Sequence, residues 1–539
     1  MTSEESAPAG PVATTSSDAP AAGERLSESS AAIAKGYTFD EPAIDLGVLM
    51  EKDAPVPAAV VRIPLSMLNR HGLVAGATGT GKTKTLQLMA EQISRAGVPV
   101  FAADIKGDLS GIASPGEPAE KLLARTQEIG QDWKAQACPT EFYALGGQGT
   151  GTPLRATVSA FGPTLLSKVL GLNDVQESSL GLVFHYADQA GLPLLDLSDL
   201  REVLTYLTSD QAKGELRNVG GLSATTVGVI LRALVTFSAQ GADTFFGEPE
   251  FDSADLLKVT SDGWGVVSCL ELPNLQDRPA VFSTFLMWLL ADLFHDLPEV
   301  GDAALPKLVF FFDEAHLLFA DASKAFLDAI AQTVRLIRSK GVGVFFVTQT
   351  PKDVPDDVLG QLGSRVQHQL RAHTPNDAKA LRQTVATFPT SGYDLAQVLQ
   401  QLGIGEAIVT VMDPDGAPTP VAWTRMRAPQ SLMAPTPAAT MTGWVQASPQ
   451  MAKYGQEIDR ESAREMLAAK LEAGAQAAQQ ERQAPQAEQS AQRPRSTGGK
   501  PRPEKTMFEK VVNSTAFRQV ARTATTQIFR SLFGTARRR

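Results

Sequence analysis

Between His71 and about Arg427, short runs of large apolar residues alternate with longer stretches in which apolar residues recur every three or four positions. The short runs predict strands at His71–Ala77, Val98–Asp104, Gly265–Leu272, Lys307–Asp313, Val342–Thr348, Val366–Leu370 and Ala407–Met412. They are apolar throughout rather than alternating, as expected of strands covered on both faces. The periodic stretches predict helices at Lys82–Ala96, Pro279–Leu297, Ser323–Ser339 and Pro375–Ala386. Strands separated by helices predict an α/β fold with a mostly parallel sheet. From Ser110 to Asp262 the helical period dominates, through Thr164–Leu170, Asp174–Ala190, Leu197–Leu207 and Ala224–Phe237. A long helical insertion over about 110–262 is therefore expected inside a core spanning 37–427.

The two ends read differently. Residues 1–36 are rich in Ala, Ser, Pro, Thr and Glu and poor in large apolar groups, so they are expected to be disordered. Residues 428–505 read as a linker with a helix-prone, Gln/Ala/Glu-rich, low-complexity segment. In 506–539, Phe508, Val511, Val512, Ala516, Val520, Ala524, Ile528 and Leu532 fall three or four apart, with Arg518, Arg522 and Arg530 off that line. That pattern predicts an amphipathic basic helix.

Charge sharpens the contrast. The net charge of −10 hides a tail, 493–539, with twelve Lys/Arg and two Asp/Glu. Two cysteines, Cys138 and Cys269, cannot make a disulfide framework and fit a reducing compartment. The acidic, polar N-terminus does not read as a signal peptide. The most apolar helical stretch, Phe282–Phe294, is too short to span a bilayer and is broken by Asp292. The expectation is a cytoplasmic protein with no integral membrane segment.

Chemistry enters at the strand ends. Gly76-Ala77-Thr78-Gly79-Thr80-Gly81-Lys82-Thr83 matches G-x-x-x-x-G-K-[ST] between a predicted strand and a predicted helix. Such a loop wraps phosphates with backbone N–H groups, so glycines stand where a Cβ would block approach. The helix that follows, opening through Lys84, points its positive end at the same phosphates. Lys82 reaches the β- and γ-phosphates of ATP, and the Thr83 hydroxyl ligates Mg2+.

The run Leu308–Phe312 ends in Asp313-Glu314. Asp313 is expected to hold Mg2+ through water, and Glu314 to act as general base toward the attacking water. The strand ending in Thr348-Gln349 offers Gln349 as a γ-phosphate sensor or as a loop-capping amide. Arg365, at one end of the predicted strand Val366–Leu370, is a candidate arginine finger or a partner in a surface ion pair, and Arg371 a weaker one. Asp104-Ile-Lys106-Gly-Asp108 follows the second strand, and Asp104 is either a support for the metal or part of a turn.

Taken in order, Gly-Ala-Thr-Gly-Thr-Gly-Lys-Thr, Asp-Ile-Lys-Gly-Asp, Phe-Phe-Phe-Asp-Glu-Ala-His and Val-Thr-Gln-Thr-Pro resemble the HerA/FtsK superfamily, and within it the HerA-like helicase C-terminal proteins. The resemblance covers roughly residues 40–425. It implies a RecA-like P-loop NTPase fold and an ATPase that assembles as a homo-hexamer around double-stranded DNA. It implies a translocase or helicase that uses ATP and Mg2+, with a nuclease or other protein partner, and it gives Arg365 the role of a finger acting in trans. Residues 37–75 are too few for the β-barrel that docks the nuclease in HerA itself. A second reading is an ATP-driven scaffold or switch that assembles protein partners at a membrane surface, motivated by the acidic core and the basic tail helix.

Overall fold

The computed structural model describes residues 26–483, apart from 210–211, 213–214, 216–220, 302 and 320–321. The predicted basic helix at 507–533 and the first 25 residues lie outside them.

Among the described residues, twelve strands form one sheet. In chain order they are β1 (Ala43–Glu51), β2 (Ala54–Pro64), β3 (Gly72–Ala75), β4 (Val100–Asp104), β5 (Thr140–Leu145), β6 (Thr152–Leu154), β7 (Val267–Glu271), β8 (Leu308–Phe312), β9 (Val342–Thr348), β10 (Ser364–Gln367), β11 (Glu406–Thr410) and β12 (Ala422–Met426). Across the sheet the order is β2-β1-β12-β11-β10-β3-β9-β8-β4-β7-β5-β6. The eight strands from β10 to β6 are parallel. The four at the other edge are antiparallel. The expected α/β fold with a mostly parallel sheet is present.

The apolar strands are explained by a core on each face. Successive side chains of a strand point to opposite faces. Leu308, Phe310 and Phe312 of β8 enter one core while Val309 and Phe311 enter the other. Phe101 and Ala103 of β4 are divided from Val100 and Ala102 in the same way.

The helices α1 (Glu28–Gly36), α2 (Lys82–Arg95) and α3 (Glu120–Glu128) are followed by α4 (Val158–Val169), α5 (Asp174–Ala190), α6 (Leu197–Thr208) and α7 (Ala224–Ala239) in the helix-rich stretch. Then come α8 (Pro279–Asp296), α9 (His316–Phe319) and α10 (Lys324–Ile337). Helices α4–α8 and α10 share one core, and α2 belongs to the other. Helix α8 is buried nearly all round, which accounts for its unbroken apolar character. Among the described residues no helix is long and apolar enough to cross a membrane.

Three features depart from the expectations. Helix α1 lies inside the stretch expected to be disordered; Ser27 caps it, accepting from the Ser30 N–H, and Ile33 and Ala34 pack on the core. Strands β5 and β6 lie inside the stretch expected to be helical. The run Thr140–Leu145 is simply too short for a periodic signal to separate it from its surroundings. The segment after Arg427, expected to be a linker, is laid along α2: Glu91 accepts from the Ser431 and Gln430 N–H groups at 2.9 and 2.8 Å.

His71, just before β3, carries a pH-dependent share of the stability. It is buried, and its Nδ1 accepts the Val344 N–H of β9 at 3.0 Å. A proton on Nδ1 would break that bond, and burial pushes the pKa from 6.5 down to about 4. As pH falls below 6.5 the unfolded chain binds a proton that the folded chain refuses until about pH 4. Stability therefore drops across that window, by roughly 2 kcal/mol from this residue by pH 5. Urea unfolding at about pH 7.5 and about pH 5 tests this. The loss should be smaller in His71→Asn, which keeps an acceptor but cannot titrate; an equal loss in both proteins would contradict the assignment.

Candidate active site

Three neighbouring parallel strands, β3, β9 and β8, end at the same edge of the sheet. Parallel α/β sheets place ligands at this carboxyl edge. The Gly76–Thr83 loop leaves β3, Thr348-Gln349 ends β9, and Asp313-Glu314 follows β8. The two halves of the expected phosphate site thus stand one strand apart.

The loop is held by its own backbone. Gly76 N donates to Thr348 O at 3.2 Å, and Ala77 N to Gln369 O at 2.8 Å. Gly81 opens α2 with φ +117°, a conformation that an L side chain rarely adopts. Lys82 is buried, and its Nζ donates to Gly76 O at 2.7 Å and to Ala77 O at 3.3 Å. Burial lowers its pKa, against the opposing pull of Glu314. Thr83 and Lys84 lie in the first turn of α2, with free backbone N–H groups of the kind that bind anions. Behind the loop, the buried His368 joins Thr85 Oγ1 (2.9 Å from Nε2) to Glu406 O (2.8 Å from Nδ1).

Asp313 and Glu314 are both buried. Burial first, then the charges of Glu314 and Asp104, push the Asp313 pKa up to about 7. Glu314 behaves oppositely: burial raises its pKa, but His316 and Lys106 outweigh that and hold the carboxyl at about 2. Lys106 Nζ forms an ion pair with Glu314 Oε1, and His316 Nδ1 lies 3.1 Å from Oε2. Glu314 has φ +45°, rare for a residue with a side chain. Such strain persists only where the surroundings enforce it, and it concentrates at functional sites.

Carboxylate oxygens of Asp104, Asp108 and Asp313 lie within 4.8 Å of one another. Asp104 accepts the Gly107 and Leu109 N–H groups at 2.7 and 2.8 Å, so its oxygens are spent on the turn that presents Asp108. Asp108 Oδ1 is buried with no hydrogen-bond partner. Hard oxygen donors, crowded and partly unpaired, fit a small divalent cation such as Mg2+. Glu271, paired with Asp104 across β4 and β7, adds a further buried carboxyl. Burial, then Asp104 and Asp108, push its pKa up to about 9.

Of the sequence-predicted residues, the loop, Lys82, Asp313 and Glu314 are brought together. Gln349 is exposed at the end of β9, between the two halves. Arg365 is not part of this group: it sits opposite Leu73, inside the β10–β3 ladder, and Nη1 donates to Thr387 O at 3.0 Å. Arg371 does reach the loop, donating from Nη2 to Thr78 O at 3.3 Å. The sequence reading missed Glu271 and His368. The signal for Glu271 was a carboxyl closing an apolar strand; that for His368 was only a histidine between two glutamines, Gln367 and Gln369, inside a predicted strand.

The chain matches the Helicase HerA-like C-terminal family over residues 50–539. A probable helicase of Methanocaldococcus jannaschii is 33% identical over 26% of this chain and 28% of its own length. The DNA double-strand break repair helicase HerA of Saccharolobus solfataricus is 22% identical over 70% of this chain and 67% of its own. Among solved structures, the bacterial conjugative coupling protein TrwBdeltaN70 superposes with a TM-score of 0.51 at 15% identity, over 76% of this chain and 94% of that one. At that identity the likeness speaks for the fold alone. The chain belongs to the Helicase HerA-like C-terminal family.

Proposed function

We propose that this family member is an ATP-hydrolysing motor that translocates on or unwinds double-stranded DNA, as a cytoplasmic homo-hexamer with a nuclease or other protein partner. The observation that carries the ATPase reading is the convergence of the Lys82 loop with the Asp313–Glu314 pair at the carboxyl ends of β3 and β8, one strand apart in the sheet. The DNA reading is supported by family membership and by the repair helicase among the relatives. The basic tail adds phosphate-binding charge.

In this reading the loop N–H groups and the start of α2 hold the phosphates, and Lys82 exchanges its carbonyl partners for the β- and γ-phosphates. Thr83, Asp313 and Asp108 would hold Mg2+, which when bound would neutralise charge that develops on the phosphates. Glu314, ionised at neutral pH, accepts a proton from water as the water oxygen attacks the γ-phosphorus. The bond to the β-phosphate oxygen breaks, releasing ADP and inorganic phosphate. Lys106 and His316 position Glu314. Gln349 senses the γ-phosphate, and Arg365 acts on a neighbouring subunit's site.

Steady-state ATP turnover with and without linear duplex DNA, at low and moderate salt, tests the motor reading. Stimulation by DNA that weakens steeply as salt rises is expected. Turnover indifferent to DNA at low salt, with no shift of duplex in a gel, would defeat the DNA reading and leave protein partners as the substrate.

A further inference from the structure

The phosphate-binding groups fix where the other end of a nucleotide must lie. Lys82 faces Asp313 and Glu314, which are on the β8 side of the loop. The terminal phosphate is therefore drawn toward β8, and the nucleoside must leave on the opposite side, over β10 and β11.

A turn waits there. Gly403-Ile404-Gly405 lies against the loop: Gly405 N donates to Thr80 O at 3.0 Å. A Cβ on Gly405 would be strained at φ +73° and would stand 2.6 Å from Arg125 Nη2, so a side chain there would displace the guanidinium. Arg125 of α3 pins the turn, donating from Nη2 to Gly405 O at 2.7 Å and from Nη1 to Ile404 O at 3.3 Å. Held rigidly on top of this turn, Ile404 is 75% exposed, more than any other exposed large apolar side chain among the described residues. An isoleucine held three-quarters exposed on a pinned turn beside a polar loop packs little against the other described residues.

We propose that Ile404 is the ledge on which the base of the bound nucleotide rests, one face of the heterocycle covering the isoleucine. The inference rests on the ATP-site reading above. A flat ring laid on an aliphatic side chain buries apolar area on both partners without needing a directed polar contact. The subsite therefore selects for a base over none, rather than for one purine over another.

Equilibrium binding of Mg-ADP and of Mg-pyrophosphate to the full chain and to Ile404→Ser and Ile404→Leu tests it. Pyrophosphate carries the anchoring groups but no base. Ile404→Ser should weaken ADP by about tenfold and leave pyrophosphate unchanged, and Ile404→Leu should retain ADP affinity. Unchanged ADP affinity in Ile404→Ser would overturn the proposal. So would equal weakening of both ligands, which would mean that the turn merely shapes the loop. A wild-type chain that binds neither ligand would instead defeat the ATP-site reading itself.

Discussion

Replacing Glu314 by Gln is expected to cut ATP turnover by roughly 1,000-fold while leaving ATP bound. The amide has nearly the shape of the carboxylate but cannot take a proton from water. In the wild-type site the carboxylate is kept charged despite its burial, because Lys106 and His316 contact its two oxygens. The backbone there is strained into φ +45°, so the side chain is aimed by the fold rather than by its own rotamer preference. Neither Lys82 nor the loop is altered by the substitution. Radiolabelled ATP retained on a filter should therefore match or exceed that of the wild type. Loss of retention along with turnover would mean that Glu314 supports the site's structure rather than its chemistry.

Lys82→Ala is expected to act earlier, lowering turnover by on the order of 100-fold or more and reducing ATP retention as well. Lys82 is buried beside two carboxylates, Asp313 and Glu314, that it partly balances. Removing it takes away the cation that meets the phosphates and leaves the acidic side of the site uncompensated. The two variants thus separate binding from hydrolysis: one should hold ATP without cleaving it, and the other should not hold it. Identical retention in both would place the phosphate clamp elsewhere.

The parts of this molecule legible in its sequence are those governed by local rules. A phosphate loop needs glycines at fixed positions, a buried parallel strand needs an unbroken apolar run, and a catalytic pair needs carboxyls at a strand end. Gly76–Thr83 and Leu308–Glu314 satisfy all three within a few residues. What stayed hidden depends on partners far along the chain. Glu271 joins Asp104 only because β7 pairs with β4, 167 residues apart in register. His368 matters because β10 runs beside β3. Strands β5 and β6 are short; β5 is a strand because β7 offers an edge to pair with, and β6 because β5 offers the next one. The segment after Arg427 has the composition of a linker and is ordered by Glu91, a buried carboxyl on the face of α2. Arg365 depends on a partner beyond this chain: within it the guanidinium donates to the Thr387 carbonyl, and a role in trans is set by a neighbouring subunit.

The most direct test of the central claim is phosphate release from Mg-ATP by the purified wild-type chain, with Lys82→Ala and Glu314→Gln measured in parallel. The account predicts steady turnover in the wild type, near-background release in both variants, and ATP still retained by Glu314→Gln. Release by either variant at the wild-type rate would contradict it, because the hydrolysis would then belong to another site.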